Sequence, residues 1–243
     1  MWGAIKGQEM YLNVSCPFSF PLGYLTNNEF HMRQGIQIPD SSPSKTFLFD
    51  IGRVLLDFDF ESSLIKLIPE RINNPRKRIQ EVLAQKDALE AGLIDPKSYA
   101  NWALKIFESN ASLPQFYRAW QEIFTPNEAM WRCVRQLASN NHALILISNI
   151  NAIHCPWIFT AYPEFSYFQH KVLSFEIGTL KPGFAIYQHA IKTYQLIPAS
   201  TIYIDDQPKN IASGRELGFQ CWQYDLNDHM NFEIWLEKTL AAD

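Results

Sequence analysis

The sequence is poor in cysteine, carries no excess of basic residues and lacks a long hydrophobic run. Its four cysteines are spread over 243 residues without a C-x-x-C pair, which argues against a disulfide-rich secreted scaffold. The 21 Lys and Arg against 25 Asp and Glu give a net charge of −4, which provides no attraction for nucleic acid or an anionic membrane. The longest uncharged stretch near the N terminus contains Pro17, Pro21 and Gly23, too many helix breakers for a membrane span. We therefore expect a cytoplasmic protein with neither nucleic-acid nor membrane partners.

Hydrophobic residues make up 47% of the chain and aromatic residues 14%, which is enough for a globular core. Residues 1–44 stand apart, because they show neither helical nor strand periodicity and end in a loop-rich segment of Pro, Ser and Asp. We predict that they form a poorly ordered N-terminal extension outside the domain.

Three short apolar runs have the composition of strands that are buried on both faces: residues 46–49, 143–147 and 201–204. Helical patterns separate them, among them an i, i+4 stripe formed by Ile186 and Ala190. Strands that alternate with helices predict an α/β fold with a Rossmann-like parallel sheet.

Residues 61–138 interrupt this alternation and have the pattern of four or five helices without a convincing strand. Asp95 is a favourable N-cap within them, and near their end Thr125 is predicted as the N-cap of a further helix that begins at Pro126. The sequence therefore predicts a helical cap at residues 61–138, inserted into a core formed by residues 45–60 and 139–243.

Polar side chains follow each of the three predicted strands: Asp50, Ser148, and the pair Asp205 and Asp206. Lys181 begins a predicted helix, where a positive charge opposes the helix dipole, so its position indicates a task other than helix stability. Ligands of parallel sheets bind at the carboxyl ends of the strands. Carboxylates for a divalent cation, a carboxylate nucleophile, a hydroxyl and an ammonium are the groups that phosphoryl transfer needs.

These segments resemble the motifs of the haloacid dehalogenase-like hydrolase superfamily. Four motifs occur in the superfamily's order, and the resemblance covers about residues 45–235. It looks closest to the helical-cap branch, which includes alpha-D-glucose-1-phosphate phosphatase and the phosphatase domain of soluble epoxide hydrolase. The motifs are residues 47–55, 147–149, 181–182 and 203–210.

The resemblance implies a Mg²⁺ cofactor and a role for each polar residue. Asp50 matches the nucleophile and a metal ligand, Ser148 the phosphate-binding hydroxyl, and Lys181 the lysine that stabilises charge. Asp206 matches the metal carboxylate, Asp205 its acidic partner and less favoured ligand, and Asn210 a supporting polar group. The backbone carbonyl of Gly52 could also bind the metal. Asn149 either binds phosphate through its backbone amide or caps a helix.

Gly52 departs from the superfamily's usual pattern, in which an Asp two residues after the nucleophile protonates the leaving alcohol. Glycine has no proton to donate, and loss of a general acid costs roughly 10²–10⁴-fold in rate. Three explanations stay open: a substrate with a better leaving group, a substitute acid, or a catalytically weak protein. The candidate substitute acids are Asp57, Asp59 and His154.

We expect a Mg²⁺-dependent phosphatase that hydrolyses a small phosphorylated metabolite, a sugar phosphate or a nucleotide, through an aspartyl-phosphate on Asp50. One alternative is a phosphatase-fold binding or regulatory protein with little turnover, which Gly52 supports. Another is a haloacid dehalogenase, which needs no second carboxylate cluster beside its nucleophile, so Asp205 and Asp206 argue against it. The sequence does not indicate the oligomeric state.

Overall fold

The computed structural model describes residues 44–241, so the predicted extension at residues 1–44 lies outside the described residues except for its last position. Within the described range the chain forms a five-stranded sheet, a short antiparallel pair of strands, and eleven α-helices. The strands are β1 (Thr46–Phe49), β2 (Leu56–Phe58), β3 (Phe124–Pro126), β4 (Ala143–Ser148), β5 (His170–Leu173), β6 (Thr201–Asp205) and β7 (Gln220–Gln223). The helices are α1 (Phe60–Leu64), α2 (Pro75–Leu83), α3 (Lys86–Glu90), α4 (Pro96–Ile106), α5 (Leu113–Gln121), α6 (Glu128–Ser139), α7 (His154–Ala161), α8 (Ser174–Ile177), α9 (Phe184–Tyr194), α10 (Pro208–Glu216) and α11 (His229–Ala241).

β1 lies at the centre of the parallel sheet, whose order is β5–β4–β1–β6–β7. It pairs with β4 on one side and β6 on the other, so that Phe49 lies opposite Leu146 and Ile204. Because the strands are parallel, their carboxyl ends meet at one edge of the sheet, and Asp50 and Ser148 are brought together there. The predicted α/β fold with a Rossmann-like sheet is confirmed.

Successive residues of β1 pack on opposite faces of the sheet. Phe47 and Phe49 belong to a hydrophobic cluster with side chains of α6 and α11, whereas Leu48 packs with side chains of α9 and α10. All three are fully buried, which explains why this strand lacks the polar–apolar alternation of a half-exposed strand. None of the helices within residues 44–241 has the length and hydrophobicity to cross a bilayer.

A separate hydrophobic cluster occupies the chain between β2 and β3. Side chains of α1 to α5 form most of it, Ile153 from the chain after β4 joins it, and Tyr99, Phe116 and Trp120 are fully buried within it. Asp95 caps α4, as predicted, by accepting two backbone N–H groups of its first turn. Since α6 packs with the sheet instead, we propose that the cap consists of α1 to α5 and ends before β3 rather than at residue 138.

The segment that follows α5 differs from the helical pattern expected from sequence. Phe124–Pro126 forms β3, which pairs antiparallel with β2, so the prediction of no strand in this region is wrong. Thr125 is not an N-cap, because it lies in this strand; Asn127 caps α6 by accepting a backbone N–H of its first turn. The backbone N–H of Asn127 donates to Leu55 O, just before β2. The pairing of β3 with β2 therefore outweighs the local capping preference of Thr125.

Candidate active site

A pocket of about 230 Å³ opens at the carboxyl edge of the sheet. Its lining combines the loops after β1, β4 and β6 with side chains of α3. Of the predicted site residues, Asp205 is fully buried. The others line the pocket: Asp50, Gly52, Ser148, Asn149, Lys181, Asp206 and Asn210.

Asp50 is held through one of its two carboxylate oxygens. Oδ1 accepts hydrogen bonds from Ser148 Oγ and from the backbone N–H of Ile51, each at 2.7 Å, and Lys181 Nζ lies 2.9 Å away. Burial raises the pKa of Asp50 to about 7, although the Lys181 ammonium opposes this rise. Oδ2 has no hydrogen-bond partner within residues 44–241, so this oxygen remains available to a ligand.

Lys181 is a buried cation surrounded by three oxygens. Its Nζ donates to Asp205 Oδ2 at 2.5 Å and to Ile147 O at 2.9 Å, and it pairs with Asp50 Oδ1. Burial alone would lower the pKa of Lys181, but the two carboxylates outweigh burial and raise it. The ammonium is therefore charged at neutral pH and compensates two buried acidic groups at once.

Asp205 and Asp206 are adjacent in sequence but have different surroundings. Burial would raise the pKa of Asp205, but its hydrogen-bond donors, Lys181 above all, lower it. Burial and the neighbouring Asp205 raise the pKa of Asp206, whose Oδ2 accepts one hydrogen bond, from Gln207 Nε2. The two oxygens of Asp205 accept from four groups: Lys181 Nζ, the Tyr203 hydroxyl, the Gln207 backbone N–H and Asn210 Nδ2.

The acidic side chains of this pocket fit a hard divalent cation. Asp50, Asp205 and Asp206 each offer a carboxylate oxygen, and these atoms lie within 4.8 Å of one another. Carboxylate oxygens are the ligands that Mg²⁺ prefers, and a cation relieves the repulsion that raises the pKa values of Asp50 and Asp206. Because the oxygens of Asp205 are already occupied, we propose Asp50 and Asp206 as the direct ligands. The contribution of the Gly52 carbonyl stays a prediction.

The two neighbouring aspartates should respond differently to replacement by Asn. We expect D206N to weaken Mg²⁺ binding about tenfold or more, measured by titration calorimetry, with an unchanged melting temperature. D205N should instead lower the melting temperature by about 6 °C or more, because Lys181 loses its closest buried anion. Equal losses of Mg²⁺ affinity with equal melting temperatures would contradict this division of roles.

Asn149 joins the loop after β4 to the backbone of Lys181. Its Nδ2 donates to Lys181 O at 2.9 Å and its Oδ1 accepts from Lys181 N–H at 2.8 Å. It does not cap the following helix, whose N-cap residue is Ile153, so the helix-cap alternative is wrong. The side chain therefore orients the lysine, a contact that the sequence pattern did not indicate.

Comparison with known proteins identifies the family. Residues 44–218 match the family model of the haloacid dehalogenase-like hydrolases. The chain belongs to this family. The predicted resemblance and the hydrolase class are thereby confirmed.

Individual relatives agree with this assignment. The chain is 26% identical over 193 residues to a D-ribitol-5-phosphate phosphatase of Bacteroides thetaiotaomicron, which covers 74% of this chain and 91% of that protein. The structure of this chain is similar to that of a HAD family enzyme of Bacteroides thetaiotaomicron in complex with magnesium and inorganic phosphate. The TM-score is 0.65 and the identity 24%, over 76% of this chain and 96% of that chain. It is also similar to a predicted HAD-like family hydrolase from Porphyromonas gingivalis, with a TM-score of 0.65 and 23% identity over 79% and 97% of the two chains.

In this hydrolase, an aromatic ring lies close to the position two residues after Asp50. A Cβ atom on Gly52 would lie 3.0 Å from Cε1 of Phe58, closer than ordinary van der Waals contact. The Phe58 ring lines the pocket and packs beneath the guanidinium of Arg53, 4.5 Å from the ring centroid. A carboxylic acid at position 52 therefore does not fit unless Phe58 moves.

Two of the candidate substitute acids lie outside the pocket lining. Asp57 forms an ion pair with Arg53. Asp59 caps α1, and hydrogen bonds from Ser62 lower its pKa. Neither carboxyl group is placed to protonate a leaving group in the pocket.

His154 lines the pocket, but its ring nitrogens are used inside the protein. Nε2 lies 2.8 Å from the carbonyl oxygen of Trp120, which can only accept, so Nε2 carries the proton and donates. Nδ1 then accepts from Asn151 Nδ2 at 3.1 Å. Burial lowers the pKa of His154 to about 3, so the ring is neutral and is not a general acid.

Sequence reasoning missed the contribution of α3 to the pocket. Lys86, Asp87 and Glu90 line it together with the predicted residues, and Lys86 Nζ bonds to Glu90 Oε2 at 2.6 Å. Burial raises the pKa of Glu90, against the opposing effect of Lys86. A Lys and a Glu four residues apart are common on exposed helices, so their spacing gave no indication that they line the pocket.

Proposed function

We propose that this hydrolase is a Mg²⁺-dependent phosphatase that cleaves a small phosphorylated metabolite through an aspartyl-phosphate on Asp50. One observation carries the proposal: the buried Lys181 ammonium bridges Asp50 and Asp205, with Ser148 and Asp206 in the same pocket. A nucleophile, a cation, a hydroxyl and a second carboxylate are thus assembled around one small space.

The residues of the chain supply both the nucleophile and a cradle for the phosphoryl group. Oδ2 of Asp50, which has no internal partner within residues 44–241, attacks phosphorus. Lys181 and Ser148 contact Oδ1 of the free enzyme, and they redirect these hydrogen bonds to phosphoryl oxygens when the ester binds. Asp50 and Asp206 would hold Mg²⁺, which would supply positive charge near those oxygens. Water then cleaves the aspartyl-phosphate and restores the Asp50 carboxylate.

The leaving oxygen departs without a proton from position 52. Gly52 has no acid, and a side chain added there would press on the ring of Phe58. The catalytic groups therefore favour a leaving group that is stable as an anion or takes its proton from water.

One relative supports a phosphate ester of a polyhydroxylated compound as the substrate. That relative is a D-ribitol-5-phosphate phosphatase, and the pocket presents several charged side chains beyond the predicted catalytic set. We therefore propose a sugar phosphate or sugar-alcohol phosphate in preference to a nucleotide.

Phosphate release by the wild-type protein tests the phosphatase function. We expect turnover of p-nitrophenyl phosphate and of members of a sugar-phosphate and sugar-alcohol phosphate panel with Mg²⁺, and a loss of at least about 100-fold in EDTA that excess Mg²⁺ restores. Turnover that is equally fast in EDTA would overturn the metal requirement. Background rates with every ester would overturn the phosphatase proposal.

A second candidate function is ligand binding with slow turnover on a phosphatase fold. The absence of an acidic side chain at Gly52, close to the Phe58 ring, favours it. It predicts that a phosphate mimic binds in the presence of Mg²⁺ while phosphate release stays at background. The dehalogenase alternative is disfavoured by the acidic pair after β6, since carbon–halogen hydrolysis has no use for Asp206 beside the nucleophile.

A further inference from the structure

Lys86 and Glu90 form an ion pair that faces the same pocket as Asp50. Glu90 is 5% exposed, and its Oε2 accepts from Lys86 Nζ at 2.6 Å. Its Oε1 has no hydrogen-bond partner within residues 44–241. Because Glu90 lines the pocket, this oxygen can accept a hydrogen bond from a ligand.

The pair is fixed in place by contacts that α3 makes with α8, which also contacts the loop after β4. Ser174 Oγ donates to the backbone carbonyl of Glu90 at 2.6 Å and accepts from the backbone N–H of Ile150 at 3.0 Å. Just after α3, a Cβ on Gly92 would lie 2.6 Å from the carbonyl oxygen of Phe175, so glycine is required for this close approach. The backbone that carries Glu90 is therefore held against the core.

The chemistry of the pair matches hydroxyl groups better than proton transfer. The Lys86 ammonium favours the ionised form of Glu90 against the effect of burial, and this form accepts hydrogen bonds. The ammonium has further N–H groups to donate. Neighbouring hydroxyls of one ligand can therefore donate to Glu90 and accept from Lys86 at the same time.

The rest of the pocket provides a complementary surface. Phe58, Phe60 and Phe124 line it, and their rings can pack against the C–H groups of a carbon chain. Lys181 and Ser148 mark the position of the phosphoryl group at Asp50. A ligand with a phosphate at one end and hydroxylated carbons beyond it uses both parts of the lining.

We propose that Lys86 and Glu90 form the subsite for the hydroxyl groups of the leaving alcohol, and so select a phosphate ester of a polyhydroxylated carbon chain. This inference rests on the proposed phosphatase function. It assigns α3 to substrate selection and leaves the chemical step to Asp50 and the residues around it.

Three esters separate this role from others when they are tested on Glu90→Gln and Lys86→Gln. For ribitol 5-phosphate we expect kcat/KM to fall about 10- to 100-fold in each variant, mainly through KM, because a charged hydrogen bond is lost. Butyl phosphate, which has no hydroxyl group on its chain, and p-nitrophenyl phosphate should change less than about threefold. Glu61→Gln is a matched control, since it breaks the exposed Arg76–Glu61 pair of the same helical region and should leave all three esters unchanged.

Each other pattern overturns the inference in a recognisable way. A loss with butyl phosphate and ribitol 5-phosphate alike, but not with the aryl ester, would make Glu90 a general acid. An equal loss with all three esters would make the pair a structural element, and no loss with any of them would exclude contact with the substrate. Failure of the proposed function itself differs from all of these, because the wild type would then release no phosphate from any ester.

Discussion

Replacing Asp50 by Asn should abolish phosphate release, by on the order of 10⁴-fold or more in kcat. The amide keeps an oxygen that can accept from Ser148 and Lys181, as Oδ1 does now, but it removes the carboxylate that attacks phosphorus. The substrate should still bind, because the other groups of the pocket are unchanged. Single-turnover and steady-state assays with Mg²⁺ measure this loss.

The same variant gives an independent result on stability in EDTA. Burial raises the pKa of Asp50 to about 7 in the folded chain, whereas an unfolded Asp titrates near 4. The folded state therefore binds a proton that the unfolded state has released, and the metal-free wild type loses stability as the pH rises from about 4 through about 7. D50N lacks this loss, so its free energy of unfolding relative to that of the wild type should rise across that range.

Asp57→Asn is the matched control for both measurements. Asp57 is a nearby carboxylate, but it lies outside the pocket lining and pairs with Arg53. Its replacement should change kcat less than about threefold. Full activity of D50N, or an equal loss in D57N, would remove Asp50 from the role of nucleophile.

Replacing Lys181 by Met should have the largest combined effect on folding and activity. The ammonium compensates both Asp50 and Asp205, and loss of one partner from a buried ion pair costs about 3–5 kcal/mol. Phosphate release should fall by about 10³-fold or more, because the phosphoryl oxygens lose a fixed cation. Denaturant unfolding and phosphate assays at a temperature where the variant stays folded measure the two effects separately.

A double substitution distinguishes charge compensation from simple loss of packing. If Lys181 mainly compensates Asp205, adding Asp205→Asn to K181M should cost less than the sum of the single changes, by about 1–3 kcal/mol. The double variant should remain inactive. Strictly additive stabilities would show that the pair is not coupled and would contradict the reading of Lys181 as a buried counter-ion.

The sheet and the catalytic edge were predictable because their signals are local. Each central strand is an apolar run followed at once by a polar residue, and parallel pairing necessarily brings Asp50 and Ser148 to one edge. The different roles of Asp205 and Asp206 were only partly predictable from the sequence. The sequence favoured Asp206 as a ligand, but the four donors around Asp205 come from separate elements.

The features that sequence reasoning missed depend on contacts between distant segments. β3 forms because it pairs with β2, from which the whole cap separates it in sequence. This pairing outweighs the local preference of Thr125 for a helix N-cap. The chain between Gly52 and Phe58 turns back on itself, so that the ring of Phe58 lies close to Gly52. Lys86 and Glu90 have the spacing of an ordinary surface pair, and only the docking of Glu90 on Ser174 places them in the pocket.

The central claim is that Asp50 carries the phosphoryl group, and trapping that intermediate tests it most directly. The wild type would be mixed with Mg²⁺ and a substrate that the panel assay identifies, quenched in acid within milliseconds, digested and analysed by mass spectrometry. We expect a phosphorylated peptide whose modification lies on Asp50 and is absent from D50N. Rapid phosphate release with no modified peptide, or with the phosphoryl group on another residue, would contradict it.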